Sequence, residues 1–223
     1  MSKAIGLAVF GCCAFLAVSQ AGELVSPLSS RPDFRQATWG MTRAQVLATE
    51  TAKPSETRES TGEIIVRYDS MQLGGLACRM VYIFANDKLV RAKYVFDAEH
   101  REPNDFIRDY RAIEPLLHDM YGKPVSERAF WSDDSLQDEP KSYLEQDRAS
   151  ATDILPSDQF AGPSIAAGHL KLYTRWQGDR TKISHGLTGG STAEASRITH
   201  QIEFLSVEME KFEAEVRGVS SHN

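Results

Sequence analysis

Histidine is the residue type in this chain most able to bind a metal ion or move a proton near neutral pH. The six histidines lie at positions 100, 118, 169, 185, 200 and 222, and none has a His or Cys partner two or four residues away. The spacing of a zinc site is therefore absent. His185 and His200 could approach each other if their strands pair. Two exposed or half-buried sheet residues are the better interpretation.

Two short segments approach known catalytic or phosphate-binding patterns. The run 162–166 (Gly-Pro-Ser-Ile-Ala) lacks the second glycine of a serine nucleophile elbow. The run 189–192 (Gly-Gly-Ser-Thr) lacks the lysine and the strand-to-helix context of a phosphate loop, which favours a loose turn. Cys78 falls in a strand-like run on the apolar face, which predicts a buried thiol. We therefore predict a chain that is not an enzyme and has no metal and no cofactor.

Basic residues follow one face of the predicted strands. Helices are expected to cover the other face, which carries Ile64, Val66, Tyr68, Met80, Tyr82, Phe84, Val90, Ala92, Tyr94 and Phe96. Strand alternation then places on the open face Arg67, Arg79, Arg91 and Lys93, with Lys171, Tyr173 and Arg175 in the second half. A basic face would attract an acidic partner, although antiparallel sheets often keep one face wet without binding anything. Trp131, at a strand end, could bind or pack equally well, and it completes the predicted binding site.

The clearest local pattern is a helix start in the segment 39–46. Thr42 and Gln45 form a capping box, and Met41 and Val46 occupy the two staple positions, so a helix is predicted over 43–50. Strand-like runs follow at 63–69, 77–85 and 89–97. The last two runs are joined by the turn pair Asn86-Asp87.

A second helix is predicted to begin near Asn104 and to stop at Gly122. Its apolar stripe is formed by Phe106, Tyr110, Ile113 and Leu117. Pro115 lies off that stripe and is expected to kink or interrupt the helix. Strand candidates follow at 126–131, 170–177, 181–187 and 198–209.

The two halves of the chain show one order of elements: a helix, a Lys-Pro pair, a strand and a hairpin. We therefore predict an α+β fold of two tandem helix-plus-antiparallel-sheet units, each with a helix packed on one sheet face. The expected organisation is a signal peptide (1–21), an N-terminal tether (22–36), a first unit (37–100), a second unit (101–212) with an insertion at 132–167, and a C-terminal tail (213–223). The acidic run of the tail indicates a solvated face.

A family resemblance rests on the run 40–46 (Gly-Met-Thr-Arg-Ala-Gln-Val), the proline after it, and the hairpin at 82–89. These features resemble the BamE/SmpA small envelope proteins. The duplicated layout is similar to the β-lactamase inhibitor protein architecture. The first resemblance implies a helix-on-sheet fold and a role in assembling outer-membrane β-barrels, and the second implies a repeated helix-plus-sheet unit.

The N-terminus predicts the compartment. Lys3 precedes an apolar run over 4–18 that ends in small residues, which indicates a secretory signal peptide cleaved near Ala21. The run is too short to span a bilayer, and lipidation at Cys12 is the alternative route to a membrane. The formal net charge is −6 and the pI is near 5.6. Nucleic-acid binding is therefore not expected, because the chain has no excess of cations to neutralise phosphates.

These features predict a periplasmic or secreted, non-catalytic interaction protein: an adaptor, an assembly factor or an inhibitor. It would bind another envelope protein through the basic sheet face or through the insertion at 132–167. The alternative is an envelope enzyme or small-ligand-binding protein with a site between the two units. An enzyme would bring titratable side chains together in a cleft, whereas an adaptor would present a broad surface.

Overall fold

The computed structural model describes residues 32–132, 158–191 and 196–220. The predicted signal peptide, Cys12 and residues 133–157 of the insertion lie outside these residues. The helices are α1 (Arg43–Thr49), α2 (Pro103–Tyr121), α3 (Asp158–Ala166) and α4 (Glu210–Ser220). The strands are β1 (Glu56–Ser60), β2 (Glu63–Leu73), β3 (Leu76–Ala85), β4 (Lys88–Phe96), β5 (Ser126–Trp131), β6 (Leu170–Gln177), β7 (Thr181–Ser191) and β8 (Ser196–Ser206).

The eight strands form one continuous antiparallel sheet in the order β1-β2-β3-β4-β8-β7-β6-β5. Strands β4 and β8 pair directly, from Arg91 opposite Leu205 to Val95 opposite Gln201. The predicted α+β fold of two tandem helix-plus-sheet units is therefore wrong, since the molecule is a predominantly β protein built on a single sheet. Pairing β4 with β8 removes the two strand edges that separate sheets would expose.

Helix α1 begins as the sequence predicts. The Thr42 side chain accepts a hydrogen bond from the Gln45 backbone N–H, and the Gln45 side chain accepts one from the Thr42 N–H, so the capping box is confirmed. Val46 is fully buried and Met41 packs against the same core. The cap fixes where the helix starts, and the apolar residues attach it to the sheet.

The hairpin between β3 and β4 is also confirmed. Asn86 and Asp87 both have positive φ, at 43° and 61°, which the favoured two-residue hairpin turn requires. A bulge between Ile83 and Phe84 brings Leu89 opposite Phe84. Leu89 therefore enters the helix-side core, whereas Val90, which was predicted there, is buried on the other face of the sheet.

Helix α2 differs from its prediction in two ways. It starts at Pro103 after the N-cap residue Glu102, and it continues through Pro115 to Tyr121. Burial of Ile113 and Leu117 on either side of Pro115 holds both segments against the sheet, so the loss of one backbone hydrogen bond is tolerated. The Asn104 side chain does not cap α2 and instead accepts a hydrogen bond from the backbone N–H of Gly162 in α3, at 2.9 Å.

Helix α3 explains why β7 is longer than predicted. Gly189 lies directly against α3, where a Cβ atom would stand 1.6 Å from the Ile165 carbonyl oxygen. The segment predicted as a loose turn at 189–192 is therefore the last part of β7, as far as Ser191. Glycine is needed there because only a residue without a side chain allows the strand and helix backbones to approach so closely.

The core lies mainly on the helix side of the sheet. Its largest fully buried side chains include Tyr68, Tyr82, Phe84, Met80 and Phe204. Cys78 is buried with them, so the predicted buried thiol is confirmed, and burial raises the pKa of this thiol to about 11. Within the described part of the chain, no helix is long and apolar enough to cross a membrane.

An ion pair between an exposed arginine and a buried carboxylate lies between α1 and the sheet. The Glu50 carboxylate, 4% exposed, accepts two hydrogen bonds from the Arg35 guanidinium at 3.0 and 3.2 Å. It also accepts one from the Tyr82 hydroxyl at 2.5 Å. The Tyr68 hydroxyl is buried nearby and has no hydrogen-bond partner among the described residues. The carboxylate is thus well satisfied, whereas the neighbouring hydroxyl is not.

The C-terminal segment forms a helix where the sequence indicated a strand to 209 and then a solvated tail. Strand β8 ends at Ser206, and α4 begins at Glu210 with Glu210 and Glu213 in its first turn, where acidic side chains favour the helix dipole. Met209, Phe212 and Val216 pack against Ile83 and Val90 on the sheet face opposite α1 and α2. Helices therefore cover parts of both faces.

Candidate functional site

The structure places the predicted basic residues on the sheet face that α4 shares, opposite the main core. Their helix-side neighbours along β3, β4 and β6, such as Tyr82, Ala92 and Leu172, are buried. This face is therefore the first place to look for a binding surface. Its cations differ sharply in what they contact.

The cations on β2 and β3 are neutralised by carboxylates. Arg67 contacts Glu56 at 2.5 Å and Asp69 at 2.9 Å. Arg79 contacts Asp97 at 2.6 Å. Each guanidinium therefore has a carboxylate beside it, which reduces the positive potential that either cation offers to a partner.

The cations on β4 are neutralised more deeply. Arg91 contacts Glu203 of β8 at 3.1 Å and donates to Glu213 of α4 at 2.5 Å, and its side chain is only 13% exposed. Lys93 contacts Glu203 at 2.9 Å. Burial raises the pKa of the Glu213 carboxyl, while Arg91 acts to lower it. Arg91 and Lys93 thus hold α4 and β8 in place, and both cations are neutralised by carboxylates.

The cations on β6 are different. Lys171 and Arg175 are exposed, and neither has a carboxylate within ion-pair distance in the part of the chain that the structure describes. They flank Tyr173, since all three residues alternate onto one side of the strand. Two uncompensated cations therefore stand on either side of an aromatic ring.

Phe130 of β5 completes this surface. It pairs with Lys171 across the two strands, and its ring meets that of Tyr173 edge-to-face with 5.9 Å between centroids. The Arg175 guanidinium lies 5.6 Å from the centroid of the Tyr173 ring, within the range of a cation–π contact. Phe130 is 40% exposed, unusually so for a phenylalanine. We call Phe130, Lys171, Tyr173 and Arg175 the Tyr173 surface.

A glycine in β7 lets the Tyr173 ring lie flat on the sheet. A Cβ atom at Gly186 would stand 2.9 Å from Cε1 and 3.1 Å from Cδ1 of Tyr173. The missing side chain leaves a shallow seat, so the ring rests on the backbone of β7. Contacts with Gly186, Phe130 and Arg175 therefore support the Tyr173 ring on three sides. A side chain that is already ordered loses less entropy when a partner binds.

Trp131, which was also predicted as a binding residue, does not join this surface. It follows Phe130 in β5 and so points to the opposite face, where it packs against the cluster of α2 and α3. Sequence reasoning missed Phe130, although the same alternation that places Tyr173 on the open face would have placed Phe130 there.

Two histidines form a second notable group, on the sheet face that α2 covers. His185 and His200 are 0% and 2% exposed, and their Nε2 atoms are 2.8 Å apart. His185 stacks on Tyr110 with 3.9 Å between ring centroids, and His200 stacks on Phe96 at 4.0 Å. The prediction of exposed or half-buried residues is wrong, because β7 and β8 pair and α2 covers both side chains.

The chemistry of the histidine pair is that of a neutral core group. Burial lowers the pKa of both imidazoles, that of His200 to about 3. Both Nδ1 atoms are buried and have no hydrogen-bond partner among the residues that the structure describes, whereas a histidine that binds a metal usually donates its second ring N–H to an acceptor. No group of three or more His, Cys, Asp or Glu able to hold a metal is found among the described residues.

Polar side chains of α2, β5 and β6 extend this buried group. The Tyr110 hydroxyl is 2.8 Å from the Thr174 hydroxyl, which donates to the Glu114 carboxylate at 2.8 Å. Burial raises the pKa of Glu114, and burial together with the charge of Glu114 raises the pKa of Glu127 to about 7. Helix α2, through Tyr110, covers both histidines. A substrate could therefore reach them only if α2 moved. The group is therefore a weaker candidate site than the open face.

No protein-family model, curated protein or solved structure matches this chain. The Tyr173 surface combines two aromatic rings with two exposed cations, and it is a stronger candidate for a binding site than the buried histidine pair.

Proposed function

We propose that this chain is a non-catalytic interaction protein of the cell envelope, and that it docks an acidic partner protein on the Tyr173 surface. The observation that carries the proposal is a contrast within one sheet face. The cations at Arg67, Arg79, Arg91 and Lys93 are all engaged by carboxylates, whereas Lys171 and Arg175 are exposed beside two aromatic rings.

The composition of the Tyr173 surface suits protein binding. Aromatic residues and arginine are enriched where interfaces make their strongest contacts. Aromatic side chains bury a large area with little loss of side-chain entropy. Phe130 and Tyr173 would supply the apolar centre. Lys171 and Arg175 would supply complementary charge, which speeds encounter and selects acidic partners.

The envelope location rests on the N-terminal pattern of Lys3, the apolar run and Ala21. If the proposal is right, the protein isolated from the periplasmic fraction begins at or near Gly22. Intact-mass measurement of that protein tests the point, and a mature chain that still carries residues 1–21 contradicts it.

Charge reversal tests the docking surface. We expect the double variant Lys171→Glu/Arg175→Glu to lose in-cell crosslinking to its partner by about tenfold, which two peripheral charges can produce. The matched control is Lys53→Glu/Lys211→Glu, which makes the same charge change at two exposed lysines away from this surface. Circular dichroism confirms that both variants fold.

Two outcomes would overturn the proposal. One is a folded Lys171→Glu/Arg175→Glu variant that captures the same protein as well as the unmodified chain does. The other is an unmodified chain that captures no discrete protein. Equal loss in the Lys53→Glu/Lys211→Glu control would show that net charge, and not the Tyr173 surface, determines binding.

A further inference from the structure

We propose that the partner element that docks on the Tyr173 surface is an acidic amphipathic helix. This inference rests on the proposed function and names the kind of partner. Two observations support it. The chain's own helix α4 packs on this same sheet face over β3 and β4, and a docked helix satisfies its own backbone hydrogen bonds whereas an extended peptide on a sheet face does not.

Helix α4 shows which apolar pattern fits the face. Phe212 and Val216 are four residues apart, on one side of the helix, and both pack against a strip of the sheet that includes Ile83 and Val90. A single apolar stripe is thus enough to seat a helix on this sheet.

Helix α4 also shows which charges fit. Glu213, next to Phe212 in sequence, accepts a hydrogen bond from Arg91 at 2.5 Å. Glu210 contacts Lys182 of β7 at 2.6 Å. The Lys88 ammonium lies 5.4 Å from the centroid of the Phe212 ring. The sheet therefore supplies cations, and the helix supplies carboxylates around its apolar stripe.

The Tyr173 surface repeats these requirements on β5 and β6, toward the other edge of the same sheet face. Its apolar centre is Tyr173 with Phe130, and its cations are Lys171 and Arg175. Four residues of strand separate these cations by about 13 Å. Two helical turns span about 11 Å, so acidic side chains two turns apart can reach both cations while an apolar residue between them lies over Tyr173.

A helix fits this position better than an extended peptide. The backbone N–H and C=O groups of β6 already pair with β5 and β7. A partner that lies on this face of the sheet therefore meets side chains only. An extended peptide laid on Phe130 and Tyr173 would bury N–H and C=O groups that find no partner, which is costly. A helix satisfies its own backbone and brings only side chains to the surface.

Peptides with the sequence of α4 provide a defined probe. The first carries residues 207–218 with Arg217→Gln and a lactam between the side chains of Lys211 and Glu215, four residues apart, to hold the helix. The second adds Phe212→Ser and Val216→Ser and keeps the charge. The third is the linear peptide with Arg217→Gln and Ala214→Pro, which prevents a helix and leaves the apolar and acidic residues that meet the sheet in place.

Amide chemical shifts of the ¹⁵N-labelled mature chain report where each peptide binds. We expect the first peptide to shift the amides of Phe130, Tyr173 and Gly186, and the second and third to bind at least about tenfold more weakly. Binding of the first peptide should also weaken about tenfold in the Lys171→Glu/Arg175→Glu protein.

The outcomes separate this inference from the proposed function. Equal binding of the first and third peptides at Tyr173 would show that the docked element need not be a helix, and it would leave the proposed docking surface unchallenged. Shifts confined to β3 and β4, or no shifts with the first peptide, would also overturn the helix. Concentration-dependent shifts at Tyr173 without peptide would assign the surface to a second copy of the chain. The docking surface itself would be contradicted by a different result: the Lys171→Glu/Arg175→Glu variant would still capture the partner protein in cells.

Discussion

The buried histidine pair makes the folded protein sensitive to acid in a way that one substitution can isolate. The unfolded chain protonates His200 near its ordinary pKa of 6.5, whereas burial lowers the pKa in the folded state to about 3. Between these values the unfolded state binds more protons, so the free energy of unfolding falls as the pH falls. Lowering the pH from 7.5 to 5 costs about 2 kcal/mol through His200 alone. His185 is shifted in the same direction and adds to the loss.

A buried carboxyl on β5 opposes this effect. The pKa of Glu127 rises from 4.5 to about 7 in the folded state. Below pH 7 the folded protein takes up a proton that the unfolded chain does not yet bind, so acidification to about pH 4.5 is stabilising through this group. Glu114 is shifted in the same direction as Glu127. The wild-type pH profile is therefore flatter than the histidines alone would make it.

The variant Glu127→Gln removes the largest opposing carboxyl and provides the background for the test. Urea unfolding of this variant at pH 7.5 and pH 5 should show a loss of stability on acidification. Adding His200→Leu should reduce that loss by about 2 kcal/mol, whatever it does to stability at pH 7.5. His169→Gln, at an exposed histidine, is the matched control and should leave the loss unchanged. A change of less than about 0.5 kcal/mol on adding His200→Leu would refute the reasoning.

Two further predictions concern packing and buried polar groups, and urea unfolding at pH 7.5 measures both. Tyr68→Phe removes a buried hydroxyl that has no partner among the described residues, so the free energy of unfolding should stay the same or rise. Tyr82→Phe breaks a hydrogen bond to the buried Glu50 carboxylate and should lower the free energy of unfolding by about 2 kcal/mol. A larger loss for Tyr68→Phe than for Tyr82→Phe would contradict the assigned hydrogen bonds. Gly162→Ala would place a Cβ atom 2.5 Å from the Asn104 backbone nitrogen and should cost about 3 kcal/mol by forcing α3 from α2. Gly218→Ala, where a Cβ atom meets open space, should cost nothing, and equal costs at the two glycines would contradict the packing of α3 on α2.

Features of the fold that depend on neighbouring residues could be predicted from the sequence. The capping box at Thr42, the hairpin turn at Asn86-Asp87 and the buried stripe at Tyr110, Ile113 and Leu117 are all confirmed. Each is determined by side chains within a few positions of one another, so a single sequence contains the relevant interactions.

Features that depend on distant pairing could not be predicted. Whether β8 pairs with β4 depends on contacts across more than a hundred residues, and this pairing turns two expected units into one sheet. The same limit explains α4, whose acidic run looks solvated until Arg91 and the apolar strip of β3 are placed beneath it. It also explains why the burial of the histidine pair was missed.

The Tyr173 surface was predicted in part. Alternation along the strands placed Lys171, Tyr173 and Arg175 on the open face, as the structure has them. The pairing of Arg91 with Glu203 and Glu213 was not predictable, because Glu203 lies on a strand whose neighbour was unknown and Glu213 on a helix that was not expected.

Photo-crosslinking from two adjacent positions of β5 shows whether a partner docks on the Tyr173 surface. Phe130 belongs to the Tyr173 surface, whereas Trp131 lies on the opposite side of the sheet, against α2 and α3. With a photoreactive benzoylphenylalanine at one position or the other, in cells, we expect a discrete crosslinked partner from position 130 and none from position 131. A partner captured equally from both positions, or from position 131 alone, would contradict docking on this surface.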